Sequence, residues 1–268
     1  MSASRIKNFA IAFVAVILWN SFSPALFAWI QVGLRTLKLP LPVMALIMAI
    51  LPLMLFTEAL TRLLLLSALR PTTFTPTQIE SWTSLDLAKF ERNTQELEQL
   101  GFIYLGNYTS SSFKGMMRLF VHPQKFLFAE VGQSDRLSHF SSIFSFLDKN
   151  WSLSVTNLNL GASANAVSYA FLRKPRVLSK RFEDASIDSL FQSISNWQQQ
   201  ASIELGVAPN TEVSSEFYFE RSQQQMVLTR QNLVKSSISW RLLEMFWCWF
   251  VSPRHEWLGD YNKFAKKR

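Results

Sequence analysis

Three histidines, one cysteine and one acid in an apolar run are the residues whose chemistry could be catalytic: His122, His139, His255, Cys248 and Glu130. Their spacing argues against that use. No histidine has a ligand-type residue at i+4, and His255 follows Cys248 by seven residues with Pro253 between and no third donor nearby. Glu130 in "FLFAEV" could carry a raised pKa, but an acid on an alternating strand is expected to face outward. No G-x-S-x-G turn and no phosphate loop occurs. Each group is expected to lack the hydrogen-bonded partner that acid–base or nucleophilic work requires. None is expected to be catalytic, and the sequence calls for no metal and no cofactor. Cys248, the single cysteine, also excludes an internal disulfide.

The elements that must position any site begin with the N-terminal charge pattern. Residues 1–70 carry Arg5, Lys7, Arg35, Lys38, Arg62 and Arg70 against Glu58 alone. The rest of the chain holds most of the acids, nearly balanced by bases, so its charge does not resemble a nucleic-acid-binding domain. The run 8–30, "NFAIAFVAVILWNSFSPALFAWI", is uncharged and long enough to cross the ~30 Å hydrocarbon layer. A signal peptide is the other reading of this run, with Arg5 and Lys7 as its basic start and small residues around Pro24.

A second run, "LPLPVMALIMAILPLMLFT", starts at Leu39, and its apolar character continues past Glu58 to Leu69. Residues 1–70 are therefore expected to form a two-helix transmembrane hairpin with spans at about 8–30 and 39–61. Pro40 and Pro42 suit the second helix's start, and Pro52 should kink its middle. Glu58 reads as a snorkelling or Arg62-paired acid. Arg5, Lys7, Arg62 and Arg70 on one side outnumber Arg35 and Lys38 on the other, which orients both termini to the cytoplasm.

Residues 71–83 read as a linker, and 84–268 as a cytoplasmic α+β domain. Thr83 or Ser84 can cap a helix running to Leu100, with Asp86 in its first turn and Gly101 as its stop. Short alternating pieces follow: "FIYLGNYT", "FKGMMRLFV", "KFLFAEV", "FSSIFSFL" and "SLSVTNL". They predict a mostly antiparallel β-meander, with a further strand over 166–172. Ser186 can cap a helix through about Leu205, and Asn210 or Thr211 can start a polar surface helix. The expected domain has one sheet with helices on one face or at its ends.

Near the C-terminus, 240–251 reads "WRLLEMFWCWFV". Ser237, Arg241, Glu244, Cys248 and Ser252 form one narrow polar stripe on an otherwise apolar helix that is too short to span a bilayer. An in-plane helix would place Trp240, Phe246, Trp247, Trp249 and Phe250 in the membrane interface. A core helix and a re-entrant segment are the other readings. Two basic runs remain, Arg173, Lys174, Arg176, Lys180 and Arg181, then Lys263, Lys266, Lys267 and Arg268. Beside membrane spans they are candidates for lipid headgroups or a partner protein. Together these features predict a membrane-tethered, non-enzymatic scaffold, assembly or regulatory subunit, with the lipid bilayer and a membrane protein as partners. A lipophile-binding protein or enzyme with an apolar pocket on the sheet, using Glu130 or His139, is the alternative.

Overall fold

A computed structural model describes residues 24, 25, 28–30, 32, 33, 36, 40–69, 72–82, 85–111, 115–134, 139–251 and 255–265. It divides into two compact units, Met1–Leu69 with Leu233–Leu243, and Arg70–Asn232 with Glu244–Arg268.

In the first unit, helix α1 (Leu41–Ala68) begins at Pro40 and runs through Pro52. At ~1.5 Å per residue it is ~42 Å long, more than a bilayer core needs. Over Leu41–Ser67 its most apolar stretch has a mean hydropathy of 2.2 and is 6% buried, so α1 is not a core helix of this fold. Glu58 is paired with Arg62, as one of its two sequence readings had it. Of the predicted first span, residues 24, 25 and 28–30 are described, in helical conformation. The remainder, with Arg5, Lys7, Arg35 and Lys38, lies outside the described residues.

The second unit carries an eight-stranded mixed sheet whose strands follow sequence order from β1 to β8. They are β1 (Phe74–Pro76), β2 (Ile103–Ser110), β3 (Gly115–His122), β4 (Leu127–Ser134), β5 (Phe140–Phe146), β6 (Ser152–Thr156), β7 (Val177–Arg181) and β8 (Glu256–Trp257). Every neighbouring pair is antiparallel except β6 with β7. The meander over β2 to β6 lies where the alternating pieces predicted it. Within the stretch read as a linker, Phe74–Pro76 forms β1 and pairs with β2.

The predicted strand over 166–172 is helical instead. Residues Ala162–Val167 form α3, and Ser168–Leu172 continue it as a π-turn. The parallel β6–β7 pair is the reason, since parallel neighbours need a crossover connection and this segment supplies it.

Helix α2 (Leu87–Gln99) is capped by Asp86, whose carboxylate accepts from the Lys89 backbone, rather than by Thr83 or Ser84, which lie outside the described residues. Helix α4 (Ile187–Leu205) has Ser186 as its cap and ends at Gly206 in the left-handed region. Helix α5 (Ser215–Lys235) starts a turn later than predicted, with the Phe217 amide donating to Ser214 Oγ. Helix α6 (Ile238–Phe250) follows a break at residues 236–237, and the short α7 (Tyr261–Phe264) lies beyond β8.

Helices cover both faces of the sheet, not one. Phe90 and Leu97 of α2, with Ile187, Leu190, Ile194 and Trp197 of α4, pack onto Met116, Phe120, Leu127, Ile143, Leu153 and Leu178. On the opposite face, Phe217 and Tyr218 of α5 pack onto Leu119, Val121, Phe128 and Phe146. Consequently every residue of β3 is buried.

Candidate functional site

Two surfaces gather the residues singled out by the sequence. The first is α6. Trp240, Leu243, Phe246, Trp247, Trp249 and Phe250 are all exposed, with Phe250 reaching 72%. Arg241 and Cys248, on the polar stripe, are buried. Of that stripe Ser237 is exposed and Glu244 half-buried, so the covered part of the helix lies at Arg241 and Cys248 while the aromatics face outward. Phe246 and Trp249 each stack on Phe250 with nearly parallel rings, forming a continuous aromatic surface.

The second surface is a cleft of about 130 Å³ beneath the β6–β7 crossover. Thr156, Val177, Ser179 and Arg181 form its floor, and Asn165, Ser168, Tyr169 and Leu172 of the crossover form its roof. Arg173, Lys174, Lys180, His255, Glu256 and Trp257 complete the wall. Four members of the first basic run therefore converge here. The Arg173 guanidinium lies 4.9 Å from the Tyr169 ring centre and 4.6 Å from that of Trp257, and it pairs with Glu244. Lys180 pairs with Glu256 at 2.9 Å. Burial pulls the Lys174 ammonium down to about 8 and holds Arg181 below its ordinary range.

Other members of the basic runs do not join the cleft. Arg176 Nη1 donates to the Lys149 carbonyl, and its guanidinium lies 5.9 Å from the Trp151 ring centre and 5.7 Å from that of Phe264. Lys263 pairs with Asp260 at 2.7 Å, and Lys266, Lys267 and Arg268 lie outside the described residues.

The residues capable of chemistry are dispersed. His122 is buried, stacked on Phe191 and edge-on to Phe102, with its pKa lowered by that burial. His139 sits edge-on to Phe90, and burial lowers its pKa too. His255 is exposed, with Nδ1 3.8 Å from Glu183. Among the described residues, no three His, Cys, Asp or Glu side chains gather as metal ligands.

Glu130 differs from its expectation. It lies on the face covered by α5, and the buried Tyr218 hydroxyl donates to its carboxylate. Desolvation raises its pKa to about 7, although the tyrosine bond favours the anion. The partners missed by sequence reasoning, Tyr218 here and Tyr169, Asn165 and Trp257 in the cleft, have no local spacing signal. The aromatic face of β2 to β5 is filled by the start of α5, and neither the crossover cleft nor a shallow hollow on α4 opens onto it.

Fold and surfaces together define an α+β domain on an eight-stranded mixed sheet, in a chain with one helix long and apolar enough to cross a membrane. Comparisons with protein-family models, with curated proteins and with solved structures find no match.

Proposed function

We propose that this chain is a membrane-tethered, non-enzymatic module that holds its α+β domain at the cytoplasmic face of a bilayer as a scaffold, assembly or regulatory subunit of a membrane complex. Two spans, 8–30 and α1, anchor it in this reading, and both termini are cytoplasmic. The observation that carries it is the orientation of α6, whose aromatic face is outward while Arg241 and Cys248 are buried. An exposed apolar surface of that kind is costly in water and marks a lipid or protein contact. Tryptophan favours the level where hydrocarbon meets headgroups, so the bilayer is the surface this helix fits best.

The test uses the full chain reconstituted in vesicles whose acyl chains are brominated at shallow depth. Bromine should quench Trp247 and Trp249, and replacing both by phenylalanine should remove that share of the quenching while the protein stays folded. Equal quenching before and after the replacement would overturn the interfacial placement. Orientation is tested separately by a phosphatase fused after Arg268, which must be inactive in the periplasm.

A further inference from the structure

The crossover cleft contains a charge imbalance that its own residues do not resolve. Arg173 and Lys180 each have a carboxylate, Glu244 and Glu256. Lys174 and Arg181 are instead bonded to neutral amides. Lys174 Nζ donates to Gln225 Oε1 at 3.3 Å, and Arg181 Nη1 donates to Asn165 Oδ1 at 2.6 Å. The Arg181 Nε is buried without an acceptor. Glu183, the acid whose field reaches Arg181, lies 3.8 Å from His255. Neither Lys174 nor Arg181 thus has a carboxylate in hydrogen-bond contact, and a guanidinium proton without an acceptor is costly.

We propose that this cleft binds a single phosphate group, held between the Lys174 ammonium and the Arg181 guanidinium, with the Ser168 and Ser179 hydroxyls as neighbouring donors. A phosphate supplies an anion in contact with both cations, and guanidinium geometry suits its oxygens. The size agrees. A cavity near 150 Å³ admits a six-carbon ring, so about 130 Å³ takes one tetrahedral oxyanion and leaves whatever it is attached to outside. The phosphate can be free in solution or the exposed end of a lipid headgroup. Only the lipid source rests on the membrane-tethered reading above.

The experiment takes the full chain in an uncharged detergent and follows its melting temperature during titration with inorganic phosphate and with glycerol 3-phosphate. A parallel set compares phosphatidylcholine vesicles with and without phosphatidic acid. A saturable rise with phosphate, absent with chloride at equal ionic strength, is the expected result. Lys174→Gln and Arg181→Gln should each weaken it about tenfold to hundredfold, the effect of losing one hydrogen bond to a charged group. Arg92→Gln, the same charge change on the exposed side of α2, should leave it unaltered.

Ser179→Asp places a carboxylate in the cleft, and the folded variant should lose the phosphate response altogether. A response to the soluble phosphates identifies a free ligand, and one confined to phosphatidic acid identifies a lipid. No saturable response in any arm, or a response that Lys174→Gln and Arg181→Gln do not weaken, would overturn the site. A chain that binds phosphate but fails to insert in vesicles would keep the site and refute the tether alone.

Discussion

Glu58 and Arg62, one turn apart on α1 and 2.7 Å from each other, are matched to the two ends of a helix break. Arg62 donates to the carbonyls of Val234 and Ser236, where α5 ends, at 3.0 and 2.9 Å. Glu58 accepts from Ser239 Oγ at 3.1 Å, in the first turn of α6. The cation thus meets the negative end of one helix dipole and the anion meets the positive end of the next.

Arg62→Ala should therefore cost more than an ordinary surface ion pair. It frees two carbonyls and leaves Glu58 unpaired, a loss of about 1–3 kcal/mol. The expected sign is faster amide exchange at the end of α5 and the start of α6. The double variant with Glu58→Ala should be less destabilised than the two single losses added, because the unpaired acid goes too. Simple additivity would mean that the pair does not act as a clamp.

The Glu130 pKa of about 7, against an ordinary 4.5, makes stability depend on pH. Below 4.5 the carboxyl is protonated whether the chain is folded or not, and its burial carries no charge penalty. Stability is then lost as pH rises from about 4.5 to about 7, since folding must increasingly bury an anion. Replacement by glutamine should abolish this decline. Between pH 5 and pH 8 the native chain should lose about 2 kcal/mol relative to Glu130→Gln, or roughly 4–8 °C in melting temperature. Parallel melting curves across that range would refute the assignment.

Arg173 should not tolerate lysine. Lysine keeps the charge opposite Glu244 but not the planar guanidinium packed against Tyr169 and Trp257. Arg173→Lys is expected to cost about 1–2 kcal/mol, seen as a lower melting temperature and an altered Trp257 environment. Equal stability of the lysine variant would reduce the site to a simple ion pair.

Gly259 has φ of +51°, and a Cβ there would lie 2.1 Å from the Pro175 carbonyl oxygen. Gly259→Ala should cost well over about 1 kcal/mol, because left-handed strain and a backbone collision add. Loss of amide protection in β8 and in the Pro175 turn is the direct readout. A variant protected like the native chain would contradict this turn geometry.

Local patterns carried much of the fold in the sequence. Alternation marked β2 to β6, and the Ser186 cap and an end near Leu205 bounded α4. The narrow polar stripe of α6 was also legible, and Arg241 and Cys248 on it are buried. The failures share a different cause. Glu130 sits in an alternating strand, yet α5 covers the face it points to, and β3 beside it is buried on both sides. Alternation cannot report a cover supplied 88 residues away, the separation of Glu130 from Tyr218. The cleft depends on similar distances, with 71 residues between Arg173 and Glu244 and 51 between Lys174 and Gln225. Its basic run therefore read as a surface for lipid headgroups or a partner, although Val177–Arg181 is a strand.

The sequential strand order also sets a schedule for synthesis. β2 to β6 each find an antiparallel neighbour in the strand made just before, so this part of the sheet can zip together as the ribosome releases it. β7 must wait. Its outer edge stays open while α4, α5 and α6 are translated, until Glu256 and Trp257 arrive to pair with Lys180 and Ser179. Through that interval Lys180 and Arg181 act as gatekeepers, since charged side chains discourage a naked edge from recruiting another chain. A nascent chain that stalls before β8 would keep this edge exposed, since Glu256 and Trp257 are what pair with it.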